Sequence, residues 1–427
     1  MREMKDSGIE WIGQIPKDWE KTKIKTVCSF VGSGTTPASN IIEYYDNGTI
    51  DWIQSGDIYG KNNIDEVKTK ITTLALNSNT SLRIYKAPFI VMAMYGGSVG
   101  NTAISHIDAC TNQACCCIKT NENANLSYMY YWLLLCKEDF LIRAEGGGQP
   151  NVSQDKIKNQ YFFVSNYAEQ KKIADCLDEK CSEIDSLTSD IQKQIDTLEQ
   201  YKKSLVYMIV SKGIKKGVDL KETDSDVWNE IPCDWQIKDI KYLFEIVKRI
   251  AGKEGYDILS VTQKGLKVKD ISSGEGQIAE SYSGYQYVYP TDFVMNHMDL
   301  LTGWVDLSHQ FGVTSPDYRV FRLRDKENNC LDYYKYVMQC CYMNRIFYSL
   351  GQGVSNMGRW RLQTSAFNNF KVPVPPYQTQ IEIAEYLNKK ITDINAIIDL
   401  KRMQIGKITE YKKSLIYEYV TGKKEVM

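Results

Sequence analysis

A chain of 427 residues, 43% hydrophobic and 25% charged, is long enough for two or more domains with full cores and too apolar to be disordered. Its formal net charge of -1 excludes a globally basic nucleic-acid binder, so any DNA contact must rest on local patches or on partner subunits. The 12 Cys form no C-x-x-C pair and meet only 3 His, which argues against zinc sites and for free, mostly buried thiols in a reducing cytoplasm.

The polar start Met1-Arg2-Glu3-Met4-Lys5-Asp6 is not a secretory signal, and no apolar run reaches the ~18 residues of a membrane span. Ile15-Pro16-Lys17-Asp18-Trp19 opens the first half. The apolar run 89–94 reads as a strand among Gly, Asn and Ser turns, and 126–143 reads as a helix. The glycine-rich loop Gly146-Gly147-Gly148-Gln149-Pro150-Asn151 follows, then an apolar strand and a long helix. The second half repeats this order. Ile231-Pro232-Cys233-Asp234-Trp235 opens it, 216 positions on; a strand at 318–323 and a helix at 331–350 follow; the loop Gly351-Gln352-Gly353-Val354-Ser355-Asn356 takes the place of the first loop. The prolines of Pro373-Val374-Pro375-Pro376-Tyr377 keep the last strand from running into the closing helix. The expected division is a variable domain over 1–168, a helix over 169–212, a second variable domain over 213–378 and a second helix over 379–427.

The two helices are copies. Residues 170–210 align without a gap on 380–420, and 15 of the 41 positions are identical, from Gln170 and Gln380 to Val210 and Val420. A repeat of this length means two large equivalent units. Leu177, Ile184, Ile191, Leu198 and Leu205 fall seven apart in the first copy, with Ile173, Leu187, Tyr201 and Met208 on the neighbouring row. Leu387, Ile394, Ile408 and Leu415 do so in the second, with Ile383, Ile397 and Tyr411 beside them. This is a seam of the coiled-coil kind. Forty residues span roughly 60 Å at 1.5 Å each, so each helix needs a partner, and the other copy is the obvious one. Gly213 and Gly422 stop the helices at matching places.

A search for catalytic chemistry finds little. No P-loop is present. Val374-Pro375-Pro376-Tyr377 lacks the amide or carboxylate with which an amino-methyltransferase motif holds its target amine, and reads as a helix boundary. Asp57, Glu66 and Lys68 can be assembled into a Mg-dependent nuclease cluster only by force; solvated surface charge is the simpler reading. Of His106, His297 and His309, the last is a loop or edge-strand histidine rather than a base. The chain reads as non-catalytic, with no metal and no cofactor of its own.

Taken together, the motifs resemble the specificity subunit of type I restriction–modification systems. The resemblance is carried by Ile15-Pro16-x-Asp18-Trp19, Gly34-Thr35-Thr36-Pro37, Trp52-Ile53-Gln54-Ser55-Gly56-Asp57-Ile58, Asn112-Gln113-Ala114, Gly147-Gly148-Gln149-Pro150-Asn151, the Gln170 helix, and Gly312-Val313-Thr314-Ser315-Pro316-Asp317-Tyr318 in the second half. It implies two α/β (α+β) target recognition domains in pseudo-two-fold duplication, separated by two long antiparallel coiled-coil helices. Each domain would read one half of a split double-stranded DNA site. The helices would set the spacing and seat two modification (methyltransferase) subunits, which use S-adenosylmethionine. Restriction subunits, where present, would use ATP and Mg. The second domain lacks the Thr-Pro and Asn-Gln motifs, so an asymmetric target is expected.

Base reading needs paired donors and acceptors, and phosphate contacts set register. In the first half the candidates are Thr35, Thr36, Lys61, Asn62, Tyr95, Gln149 and Asn151. In the second they are Arg249, Lys264, Lys267, Asn296, Trp304, Gln352, Asn356, Arg359 and Arg361, with the last two flanking Trp360. Each loop is weighed against a plain solvated turn. Two other readings stay open: a coiled-coil scaffold with protein-binding lobes, and a stand-alone Mg-dependent nuclease.

Overall fold

The computed structural model describes residues 2–145, 150–270, 279–353 and 360–426. The chain forms two compact units, 1–191 with 403–427, and 192–402. Each unit therefore contains a variable domain, part of its own long helix and part of the other.

In the first unit a five-stranded sheet has the order Cys28–Ser33, Cys115–Thr120, Phe89–Ala93, Thr102–Ser105, Asn63–Ile64. All neighbours are antiparallel except the last pair. The expected strand at 89–94 is Phe89–Ala93, buried throughout, and Cys115, Cys116 and Cys117 pair with it as inert core residues. A three-stranded sheet of Ala109–Thr111, Ile50–Ile53 and Lys70–Ile71 lies beside it in sequence. The second unit has a four-stranded antiparallel sheet, Phe244–Val247, Arg319–Leu323, Phe293–Met295, Val305–Leu307, and a hairpin of Leu259–Thr262 with Gly265–Val268. All 12 Cys are free thiols. Among the described residues no helix is long and apolar enough to cross a membrane.

Each domain is closed by the same devices. After an opening hairpin, the next strand pairs antiparallel with the domain's last: Glu20–Lys23 with Tyr161–Val164, and Gln236–Asp239 with Lys371–Val374. The expected helix at 126–143 is broken into Leu126–Leu135 and Lys137–Ile142. That at 331–350 is broken into Leu331–Met343 and Ile346–Ser349, with Arg345 between them at φ 55°. The glutamine that begins each repeat is a clasp. Gln170 Oε1 accepts from Asn125 N at 2.9 Å while its Nε2 donates to Ser165 O at 3.0 Å. Gln380 accepts from Cys330 N at 2.8 Å and donates to Pro375 O at 2.9 Å. Both are buried, and every polar atom so used would otherwise cost desolvation energy.

The long helices are Tyr167–Lys212 and Tyr377–Val420. They are followed by Gly213 and Gly422 at φ 78° and 68°, the left-handed conformation that ends a helix without penalty only at glycine. Their pairing is antiparallel in each unit. In the first, Asp185 meets Lys412 at 2.6 Å. In the second, Lys202 donates to Asn395 at 3.1 Å and Lys401 to Gln194, so one number rises as the other falls. Leu177, Ile191, Leu205, Leu387, Ile394 and Leu415 are buried; Ile184, Leu198 and Ile408 are half-buried.

The neighbouring row differs from the expectation. Leu187, Tyr201, Met208, Ile397 and Tyr411 are exposed, and of that row only Ile173 and Ile383 are buried. The second buried row runs one residue later, through Ala174, Cys181, Ile195 and Ile209. It alternates three and four apart with the leucine row, as knobs-into-holes packing requires. Thr188 and Lys202 interrupt it, which hid it.

The domain ends close against the helices in the same way twice. Tyr128 Oη donates to Val420 O at 3.0 Å, and Tyr333 Oη donates to Val210 O at 3.2 Å.

Candidate nucleic-acid interface

In the first unit, the strand ends at one edge of the five-stranded sheet gather the sequence motifs. Gly34 N donates to Thr111 Oγ1 at 3.2 Å, and Thr36 Oγ1 donates to Gln113 Oε1 at 2.6 Å. Asn112 N donates to Ile53 O at 3.1 Å, and Met94 N to Ala114 O at 2.8 Å. The chain after the glycine loop joins the same cluster. Gly96 N donates to Pro150 O at 2.8 Å, Val152 N to Met94 O at 3.0 Å, and Gln154 Nε2 to Ser33 Oγ at 2.6 Å. Thus Thr35, Thr36, Tyr95 and Asn151 are brought together. Thr36, Gln113 and Tyr95 are exposed, while Thr35 and Asn151 are half-buried. Asn151 Oδ1 is buried without a partner among the described residues, a state that needs a reason. Gln113 is not among the candidates read from the sequence, although the Asn112-Gln113-Ala114 motif pointed to it.

Asn62 stands apart from this cluster. Its amide is taken at both ends, accepting from Tyr130 Oη at 3.1 Å and donating to Asp185 Oδ2 at 3.0 Å. It ties the domain to the helix, while Lys61 beside it is exposed. Asp57 caps its own turn, accepting from Gln54 N at 2.8 Å, and among the described residues no three His, Cys, Asp or Glu side chains gather to hold a metal ion.

The second unit repeats the backbone pattern with other side chains. Gln352 and Arg361 exchange both backbone hydrogen bonds, at 3.0 and 3.1 Å, as Glu145 and Asn151 do at 2.9 and 2.8 Å. Leu362 N donates to His297 O at 3.0 Å and Leu300 N to Trp360 O at 3.2 Å, matching Val152 with Met94 and Gly96 with Pro150. Arg361 is therefore the counterpart of Asn151, and Trp360 of Pro150. This corrects the alignment of the two loops by glycine pattern, which set Asn356 against Asn151. Five residues separate Glu145 from Asn151 and eight separate Gln352 from Arg361, so the longer loop defeated it. Gln149, Asn356 and Arg359 lie outside the described residues.

Behind exposed Arg361 is a buried cationic cluster that sequence reasoning did not find. Arg319 is 4% exposed, donates from Nη2 to Leu362 O at 3.0 Å, and lies 4.6 Å over the Phe367 ring. Its Nη1, His297 Nδ1 and Asn296 Oδ1 are buried without partners among the described residues. Burial lowers the Arg319 pKa to about 10, so it stays charged at neutral pH. Burial, then the charges of Arg319 and Arg361, lower His297 to about 4, so it is neutral. Asn296 O accepts from Tyr342 Oη at 2.8 Å, and half-buried Trp304 lies 6.1 Å from the Tyr342 ring.

The remaining candidates divide. Arg249 pairs with buried Asp292 and covers Tyr289 at 4.7 Å, so its charge is largely spent inside the unit. Lys264 and Lys267 are exposed on the hairpin, which Gln263 links to Thr302 O at 3.4 Å. Each unit thus presents exposed hydrogen-bonding or cationic side chains held by backbone hydrogen bonds between strand ends, the combination that base and phosphate contacts use.

The model of the type I restriction modification DNA specificity domain matches residues 16–197 and again 232–406. The type I restriction enzyme MjaVIII specificity subunit of Methanocaldococcus jannaschii is 23% identical over 437 residues, covering 96% of this chain and 94% of the relative. The EcoR124I/EcoR124II specificity subunit of Escherichia coli is 27% identical over 198 residues, 45% of this chain and 46% of that one. A chain solved in work on complex assembly and conformational transition of the type I R-M system superposes with a TM-score of 0.67 at 12% identity, covering 95% of this chain and 98% of the other. The duplicated match follows the two-unit order read from the repeat, and the chain belongs to the type I restriction–modification specificity-domain family.

Proposed function

We propose that this chain is the DNA-reading subunit of a type I restriction–modification complex and carries no catalytic group itself. The observation that supports it is two equivalent loop platforms built from different residues, Thr36, Gln113 and Tyr95 in one unit and exposed Arg361 in front of buried Arg319 in the other, on two helices that repeat one another. Alike helices suit two identical partners; unlike platforms suit two different half-sites. The target is then bipartite and asymmetric, and the helices fix the gap.

The partners are double-stranded DNA and two modification subunits, which bring S-adenosylmethionine; restriction subunits would add ATP and Mg chemistry. The exposed apolar row supports docking on the helices. Leu187 and Tyr201 recur 210 positions later as Ile397 and Tyr411, all between 44% and 58% exposed. Exposed apolar residues repeated at equivalent positions mark a repeated protein contact.

Methylome sequencing of a host carrying this gene with its modification subunit tests the reading. A single bipartite methylated motif is expected. A complex that methylates without sequence preference would overturn it.

A further inference from the structure

The second unit holds a cleft of about 690 Å³ between the Gln263–Lys264 hairpin turn, the 301–304 loop and the two long helices. Its lining is charged, and the charges do not cancel. Glu199 is paired with Lys202 at 2.6 Å and Arg402 at 3.6 Å, and Asp399 with Arg402 at 3.4 Å. That satisfies both acids of the lining. Lys203, Lys264 and Arg345 remain, and none of the three has a side-chain hydrogen bond or ion pair among the described residues. They come from three separate elements: a long helix, a hairpin turn and a helix break. In a chain of net charge -1, three unpaired cations around one concavity form a local field that favours an anion.

Arg345 adds a second observation. It occupies the left-handed region at φ 55°, a conformation that costs a non-glycine residue free energy and that glycine adopts freely. The side chain retained there makes no hydrogen bond or ion pair among the described residues to offset that cost. The same level of the first unit is built differently. Asn62 and Lys412 both hold Asp185, and Lys413 lies 3.6 Å from Glu138. There the residue equivalent to Lys203 has an acidic partner, as Lys203 does not among the described residues.

Resting on the DNA-reading function above, we propose that this cleft receives backbone phosphates of the duplex beside the half-site read by the second unit. It would supply affinity without base information. The hairpin that carries Lys264 is joined through Gln263 to Thr302, and Leu300 of the same loop is joined to Trp360 beside Arg361. A duplex lying on the Arg361 platform thus has the cleft on its flank. Trp304 offers an apolar wall for the sugar.

The test uses the intact complex with its modification subunits and a duplex carrying its own methylated site. Binding is measured across a salt series for the wild type and for a Lys203→Gln/Lys264→Gln/Arg345→Gln variant. For every phosphate interaction that a substitution removes, the slope of log K against log salt should fall by about 0.9. A fall of about two to three is therefore expected for the triple variant, with the methylated motif unchanged. An unchanged slope, or a changed motif, overturns the proposal. If the triple variant does not fold, Lys264→Gln alone, on an exposed turn, should reduce the slope by about 0.9. Arg345→Gly separates function from structure: melting temperature should hold or rise while affinity falls, and the opposite pattern counts against the cleft. Failure of the DNA-reading function itself would look different, as a wild-type complex with no sequence preference.

Discussion

Gly34 shows how a single residue can be legible and its reason invisible. The Gly34-Thr35-Thr36-Pro37 motif stands out in the sequence, but only the fold shows that a Cβ at Gly34 would lie 1.9 Å from Thr111 O. The obstacle is backbone in the strand that supports Gln113, so it cannot yield as a flexible side chain would. Gly34→Ala should destabilise the first unit by about 3–5 kcal/mol, the range of severe single substitutions, measured by chemical denaturation; a loss under about 1 kcal/mol would show that the loop relaxes. His297 makes a prediction of opposite visibility, since nothing in its sequence context marked it. Its folded pKa of about 4 lies below the ordinary value near 6.5. Above pH 6.5 both states are neutral. As pH falls from 6.5 toward 4 the unfolded chain takes up a proton that the native site refuses, so stability is lost with acid. The melting temperature of the second unit should drop between pH 7 and 5, and His297→Gln should flatten that drop.

The long helices separate what periodicity reveals from what it conceals. The leucine row is legible because seven-residue spacing has no competing explanation over 40 residues. The second row is misread by one position, because the true row carries small Ala174 and Cys181 and polar Thr188 and Lys202, whereas the exposed row carries Leu187, Tyr201 and Met208. Hydrophobicity does not distinguish a residue that packs within the chain from one kept apolar for a partner. Two substitutions do. Leu177→Ala or Leu387→Ala, each at a fully buried position, should cost about 2–5 kcal/mol. Tyr201→Ser with Tyr411→Ser, both more than half exposed, should change stability by no more than about 0.5 kcal/mol per site while weakening capture of the modification subunit at least tenfold in a pull-down titration. Equal capture by this variant would remove the exposed row from the docking surface.

At the scale of the whole molecule, the duplication was legible but the way it is built was not. The repeat places two variable domains and two helices in order and makes each helix the other's partner; it does not say where the helices are divided, so that each compact unit takes part of both. The platforms were legible only where short motifs converge, as Thr36 and Asn112-Gln113-Ala114 do. The buried Arg319 and His297 escaped because their meaning lies in partners far along the chain. One consequence follows from two platforms on one frame. Substitutions in one should relax one half of the target and leave the other half and the gap alone. Thr36→Ala with Gln113→Ala should broaden one half-motif in the methylome, and Arg361→Ala should broaden the other, each by the roughly 1–3 kcal/mol that a good side-chain-to-base pair contributes. Seam positions such as Leu177 should broaden neither half while the protein stays folded. Were Arg361→Ala to degrade both half-motifs together, or to alter the gap between them, the two units would not read independently, and the division of labour drawn from the repeat would fail.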